Sequence, residues 1–334
     1  MSRNRKINDP LVLGAVAVSA LLGSAAAAIG SWIGYSSLLV NHRKPLPAAI
    51  DAERRTFISA IGGALSYYVS QKQGTRPLVL IHSINAAGSA YEMRPLFNHY
   101  RQTRTVYALE LPGFGFSDRS RRAYSPDLYV RAILDFIKNQ VRSSTPVDLA
   151  ALSLGCEFVA SAALQEPDLF HALALISPSG FGSGRGAQEA AQRGASRLFY
   201  RLYSFPLWSQ AFYDLLATPA SIRYFLKQSF EGEVDAGLAD YDYLTAHQMG
   251  AKNAPLYFVS GLLFTPEIRT QVYAKLTLPV LVIHDVDTFV RFDTLPALTR
   301  DHTNWKVARV APTKGLPQFE KLPETVAALD HFWA

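Results

Sequence analysis

Six short runs of nearly unbroken apolar residues recur along the chain, at 78–82, 105–109, 147–151, 173–177, 280–284 and 306–310. Continuous rather than alternating hydrophobicity suits strands covered on both faces, so these runs predict a mostly parallel sheet with helices on either side. Ahead of them, 56–61 and 65–69, joined through Gly62 and Gly63, predict an edge hairpin. Helices are predicted over 91–98, 126–141, 154–165 and 323–333, the second beginning with Ser125 as cap and Pro126 in the first turn. Strand–helix alternation of this kind defines an α/β fold. It breaks once, over 181–276, where a Gly-rich opening, GFGSGRG, gives way to aromatic helical stretches such as FYRLYSFPLW at 199–208. This segment predicts a helical cap over the carboxyl ends of the strands, where open α/β sheets bind ligands. Its aromatics are expected mainly to pack the cap itself, and a lid of this composition predicts an apolar pocket.

Residues 11–40 carry no formally charged side chain. The run exceeds the roughly 20 residues that cross a bilayer, so a transmembrane helix is expected, with 1–44 forming an anchor and its flanks and 45–334 the folded domain. Arg3, Arg5 and Lys6 precede it, and Arg43 and Lys44 follow. That difference slightly favours a single-pass membrane protein with its domain on the extracytoplasmic side. A cleaved export signal is the rival, from the small residues at 25–28. Gly14, Ala17, Gly23, Ala27, Gly30 and Gly34 would also permit contact with another membrane protein.

Composition narrows the remaining choices. The net charge of +6 is spread along the chain, and its densest basic cluster, RSRR at 119–122, reads as a solvated loop, so no nucleic-acid partner is expected. The single cysteine, Cys156, reads as core. The spacing of Cys, His and acidic residues suggests no metal, and no cofactor is expected.

The candidate chemistry begins with LAALSLGC at 149–156, an apolar strand ending in a serine-bearing turn before a small-residue helix. Ser153 and Gly155 fit a nucleophile elbow, G-x-S-x-G, with Ala151 at the first glycine position. Further segments keep the same order: LVLIHSINAAGSAYEMRPLF at 78–97, ALELPGFGFSD at 108–118, LISPSGF at 175–181, LPVLVIHDVD at 278–287 and GLPQFEKLPETVAALDHFW at 315–333. Together they resemble the α/β-hydrolase fold superfamily from about residue 50 to the end. The resemblance implies Ser153 as nucleophile, Asp287 or Asp285 as the acid, and the backbone N–H groups of Leu154 and of Ser83 or Ile84 as oxyanion donors. The chain departs from the family pattern in Ser83 for a glycine, in Glu110 for an aspartate, and above all in the final loop. Members read G-H-x-x-x-x-E there; aligning Glu320 with that glutamate puts Gly315 where the histidine belongs and Gln318 at a secondary histidine position.

A serine hydroxyl needs a base to become a strong nucleophile. His82 is the best substitute by position, although that histidine normally supports the oxyanion loop. His284, His302 and His331 read as structural, and Gln318 cannot act as a base near neutral pH. Two functions therefore stay open. One is a membrane-anchored serine hydrolase acting on an ester or acyl bond of an apolar, lipid-like substrate. The other is a noncatalytic member of the fold that binds a lipophilic ligand or a membrane-protein partner.

Overall fold

The structure, a computed structural model, describes residues 27–73, 76–182 and 189–334. Eight strands form one sheet: β1 (Glu53–Ser59), β2 (Gly63–Ser70), β3 (Leu78–Ile81), β4 (Val106–Leu109), β5 (Val147–Leu152), β6 (Phe170–Ile176), β7 (Val280–His284) and β8 (Trp305–Arg309). Their spatial order is β1-β2-β4-β3-β5-β6-β7-β8. β1 and β2 form an antiparallel hairpin and β2 pairs antiparallel with β4, while every pairing from β4 through β8 is parallel. Strand order reverses at the neighbours β3 and β5, so the loops leaving their carboxyl ends border a ligand crevice.

The apolar runs of β3 to β7 are continuous because each of these strands feeds two cores, whereas the edge strand β8 is largely exposed. Val79, Ile81, Leu149, Ala151, Leu173, Leu175, Val280 and Val282 face one core, which is completed by Tyr129, Ile133 and Phe136 of α3 (Pro126–Phe136) and by Phe158 and Val159 of α4 (Gly155–Gln165). The alternate residues Leu78, Leu80, Ala150, Leu152, Ala174, Ile176, Leu281 and Ile283 face the other, packed by Leu96 and Phe97 of α2 (Arg94–Tyr100) and Val326 and Leu329 of α13 (Leu322–Trp333). Adjacent strand residues point to opposite faces, so burying both faces demands this unbroken hydrophobicity.

Helix boundaries shift where local chemistry dictates. Residues 90–93 form a 3₁₀ turn, and α2 begins only at Arg94, placing Pro95 in the first turn where its missing N–H is tolerated. α3 starts as expected, with the Ser125 hydroxyl accepting from Leu128 N, and passes into a π-helical turn over Ile137–Val141. Between β6 and β7 lie α5 (Glu189–Tyr203), α6 (Ser209–Leu216), α7 (Pro219–Ser229), α8 (Ala236–Ala246), α9 (Asn253–Val259) and α10 (Ile268–Gln271). α11 (Leu295–Asp301) and the short α12 (Pro317–Glu320) complete the chain.

The N-terminal expectation is corrected. No helix among the described residues is long and apolar enough to cross a membrane. The transmembrane helix, the single-pass membrane placement and the extracytoplasmic preference built on it are therefore not supported. Residues 11–26 of the apolar run lie outside the described residues. The described part forms a helix over residues 27–38, here α1, that docks on α6. Trp32 Nε1 donates to Ala211 O at 2.8 Å, the buried Ser36 hydroxyl donates to Asp214 Oδ2 at 2.5 Å, and His42 Nε2 donates to Asp214 Oδ1 at 2.9 Å. Polar groups that would be unsatisfied in hydrocarbon thus find partners on α6.

Candidate active site

Ser153 sits on the sharp turn between β5 and α4 with φ +52°, in the left-handed region that non-glycine residues seldom adopt. Its backbone N–H donates to Ile176 O at 2.9 Å, tying the turn to the end of β6. A Cβ at Gly155 would lie 2.5 Å from His82 O, so the elbow helix and the β3 loop approach too closely for any side chain there. Ala151, fully buried in the sheet, fits the first glycine position. The Ser153 hydroxyl is partly exposed and has no hydrogen-bond partner among the described residues. Cys156 is fully buried on α4, and burial pushes its thiol well above the ordinary range, as expected of core.

The expected oxyanion donors differ in how they are engaged. Leu154 N and Ile84 N have no acceptor among the described residues, whereas Ser83 N donates to Glu92 Oε2 at 2.7 Å. Glu92 Oε1 also accepts from the Ser83 hydroxyl at 2.8 Å and from Asn85 Nδ2 at 2.7 Å. Burial raises the Glu92 carboxyl to about 6 despite these donors. Asp242 of α8 is buried near it, with Oδ1 unpartnered and its carboxyl pushed well up, first by burial and then by the Glu92 charge. Neither acid was legible as a site residue, because each stands on a helix or turn that only folding brings to the loop.

His82 is wholly buried and spends both ring nitrogens on backbone: Nδ1 donates to Ser83 O at 2.6 Å and Nε2 accepts from Leu111 N at 3.0 Å. Burial lowers it to about 4, so it is neutral near pH 7. His284, at the end of β7, approaches Asp285 O through Nδ1 at 3.2 Å and packs against Phe292. His302 ends α11, and His331 lies exposed on α13.

The two acid candidates differ sharply. Asp285 Oδ1 accepts from Arg309 Nε at 2.7 Å and Oδ2 from Thr313 N at 3.0 Å. Burial alone would raise its carboxyl, but these donors outweigh burial and hold it below the usual range. Asp287 Oδ1 accepts from Phe289 N at 2.7 Å and Val290 N at 3.0 Å, while Oδ2 has no partner among the described residues. Burial raises its carboxyl. A Cβ at Gly315 would stand 2.9 Å from that Oδ2, so the backbone of Gly315 lies directly against the unpaired oxygen. Glu320 fastens the same loop by accepting from Lys314 N at 2.9 Å and from Glu231 N at 2.7 Å. Gln318 is fully buried and donates through Nε2 to Glu92 O at 3.1 Å.

The model of the alpha/beta hydrolase family matches residues 78–333. The chain belongs to that family. A curated relative, the uncharacterized hydrolase YugF of Bacillus subtilis, is 29% identical over 135 residues, covering 40% of this chain and 47% of that protein, so the match spans about half of the relative's length. Among solved structures, a serine hydrolase involved in carbazole degradation (CarC) superposes with a TM-score of 0.67 at 18% identity, over 84% of this chain and 98% of its own. A membrane phospholipase A described as a bacterial virulence factor superposes at 0.63, also at 18% identity, over 97% and 96%. In this family member Ser153 and the loop after β7 that carries Asp285 and Asp287 leave the same carboxyl edge of the sheet, separated by β6. Among the described residues there is no group of His, Cys, Asp and Glu able to hold a metal ion.

Proposed function

We propose that this chain is a noncatalytic α/β-hydrolase-fold protein that binds an apolar ligand at the carboxyl edge of the sheet, above Ser153 and beneath the cap helices. The observation that carries the reading is the Gly315 backbone against the unpaired Oδ2 of Asp287. It supports taking 315 as the position of the family's catalytic histidine, which this chain lacks, and Asp287 as the acid left without its base. A hydroxyl without a base remains a weak nucleophile. His82 does not replace the base, since both of its nitrogens are engaged by backbone. The Glu92 carboxylate behind Ser83 adds a further argument: it takes one loop N–H and sets negative charge beside the place where an oxyanion would develop. The free N–H groups of Leu154 and Ile84 suit a ligand's neutral oxygen instead. An apolar ligand is favoured by the aromatic cap and by one structural relative, a membrane phospholipase A.

The test is labelling by a fluorophosphonate serine probe, wild type beside Ser153→Ala, with a competent serine hydrolase as positive control. We expect no labelling of the folded wild type, and equal binding of an apolar fluorescent probe by both proteins. Labelling at Ser153 that disappears in the variant would overturn the noncatalytic reading.

A further inference from the structure

Behind the oxyanion loop, a cleft of about 390 Å³ opens between the 90–93 turn with α2 on one side and α12, α13 and the start of α8 on the other. Neither Ser153 nor Asp287 lines it, so it is separate from the site described above. Its volume lies at the small end of the range for ligand sites, roughly 300–1,000 Å³.

Three polar groups in this cleft are left incompletely used. Gln318 lines it while fully buried; Nε2 is engaged by Glu92 O, and Oε1 has no partner among the described residues. That oxygen has no accessible surface, so it stands behind the cleft wall and not at its opening. Arg94 gives one N–H to Tyr91 Oη at 2.7 Å and lies over the Tyr91 ring, and no carboxylate pairs with it among the described residues. Asp235 caps α8 by accepting from Leu238 N at 2.7 Å through Oδ1, and no cation pairs with it among the described residues. One cleft thus holds a half-buried cation and an exposed anion that form no ion pair with each other. Phe319 and Leu322 supply its apolar wall.

We propose that this cleft binds a free α-amino acid with an apolar side chain. The ligand carboxylate pairs with Arg94, its ammonium pairs with Asp235, and its side chain packs on Phe319 and Leu322. Charge-assisted bonds at both ends set the specificity, because removing either ligand charge leaves one protein charge unpaired. The inference goes beyond the reading of the Ser153 site and does not depend on it.

The experiment is calorimetric titration of the full chain with phenylalanine, phenylalaninamide and N-acetylphenylalanine. Free phenylalanine is expected to bind, with each blocked derivative weaker by about tenfold or more. Arg94→Gln should abolish the preference over the amide. Asp235→Asn keeps a capping side chain and should abolish the preference over the N-acetyl derivative. Absence of binding to folded wild type would overturn the proposal, as would blocked derivatives that bind as well as phenylalanine or preferences that survive in both variants. None of these outcomes alters the fluorophosphonate result, so the two readings fail separately.

Discussion

Glu110 shows how one residue's departure from a motif is absorbed. It stands where the family segment usually has Asp, and its longer side chain reaches the turn at Gly115, where a Cβ would lie 2.0 Å from Glu110 Oε1. Gly115 adopts φ +52°, so the glycine supplies both the conformation and the space. Glu110 Oε2 accepts from Phe116 N at 2.8 Å, but Oε1 is buried without a partner. Burial raises the carboxyl from 4.5 to about 7, against the opposing Phe116 N–H. The folded state therefore holds this proton more tightly than the unfolded chain. Its contribution is fully present below about pH 4.5 and is lost as pH rises through about 7, on the order of 3 kcal/mol. His82, lowered to about 4 by burial, acts in the opposite sense. The difference between the wild-type and Glu110→Gln curves of urea stability against pH therefore isolates the glutamate. The wild type should lose stability relative to the variant between pH 4.5 and 7, and parallel curves would refute the assignment. The substitution was visible in the sequence; the orphaned oxygen was not, because it depends on how the turn closes over the side chain.

Among the elements, α1 teaches most. A window of apolar residues suggested a bilayer, yet the described part packs on protein, held by Trp32, Ser36 and His42 against α6. Hydropathy sums side chains along the chain and cannot see the carboxylate that receives two of those donors, some 170 residues away in sequence. Asp214 is buried and also accepts from Gln210 Nε2 at 2.8 Å, so its charge is compensated by three side chains. Asp214→Ala should release the 27–44 segment, speed its cleavage in limited proteolysis and cost about 1–3 kcal/mol. Unchanged cleavage would mean that apolar packing alone holds α1. The strands were far more legible than this helix: β7 matches its apolar run residue for residue, and the others differ by a few residues at their ends. Their two-sided burial writes itself directly into composition, whereas the docking of a half-covered helix does not.

For the molecule as a whole, Arg119 ties the helical insertion between β6 and β7 to the core. Its Nε donates to Gly115 O at 2.9 Å on the core side, while Nη1 donates to Thr245 O at 2.8 Å and Nη2 to the Thr245 hydroxyl at 2.7 Å on α8. Asn253 Nδ2 returns a bond to Arg119 O at 2.8 Å, adding α9 to the junction. In the sequence Arg119 was one member of a basic cluster and read as a solvated loop residue; the structure makes it half-buried and bonded on both sides. Arg119→Ala should lower stability by about 1–3 kcal/mol and raise amide hydrogen exchange in Ala236–Ala246 more than in β5 or β6. Equal acceleration in cap and sheet would show that the two unfold together without this tie.

The sequence by itself determined the mostly parallel sheet, the order of its elements and the sharp strand-to-helix turn at Ser153, because strand burial and turn geometry are local properties. Tertiary structure alone decided that Asp285 is bound to Arg309 while Asp287 keeps an open oxygen beside Gly315. It also decided that Glu92 takes the Ser83 N–H, that His82 has no free nitrogen, and that α1 lies on α6. Each of these depends on groups distant in sequence meeting within hydrogen-bond reach, and no periodicity or spacing along the chain encodes such a meeting.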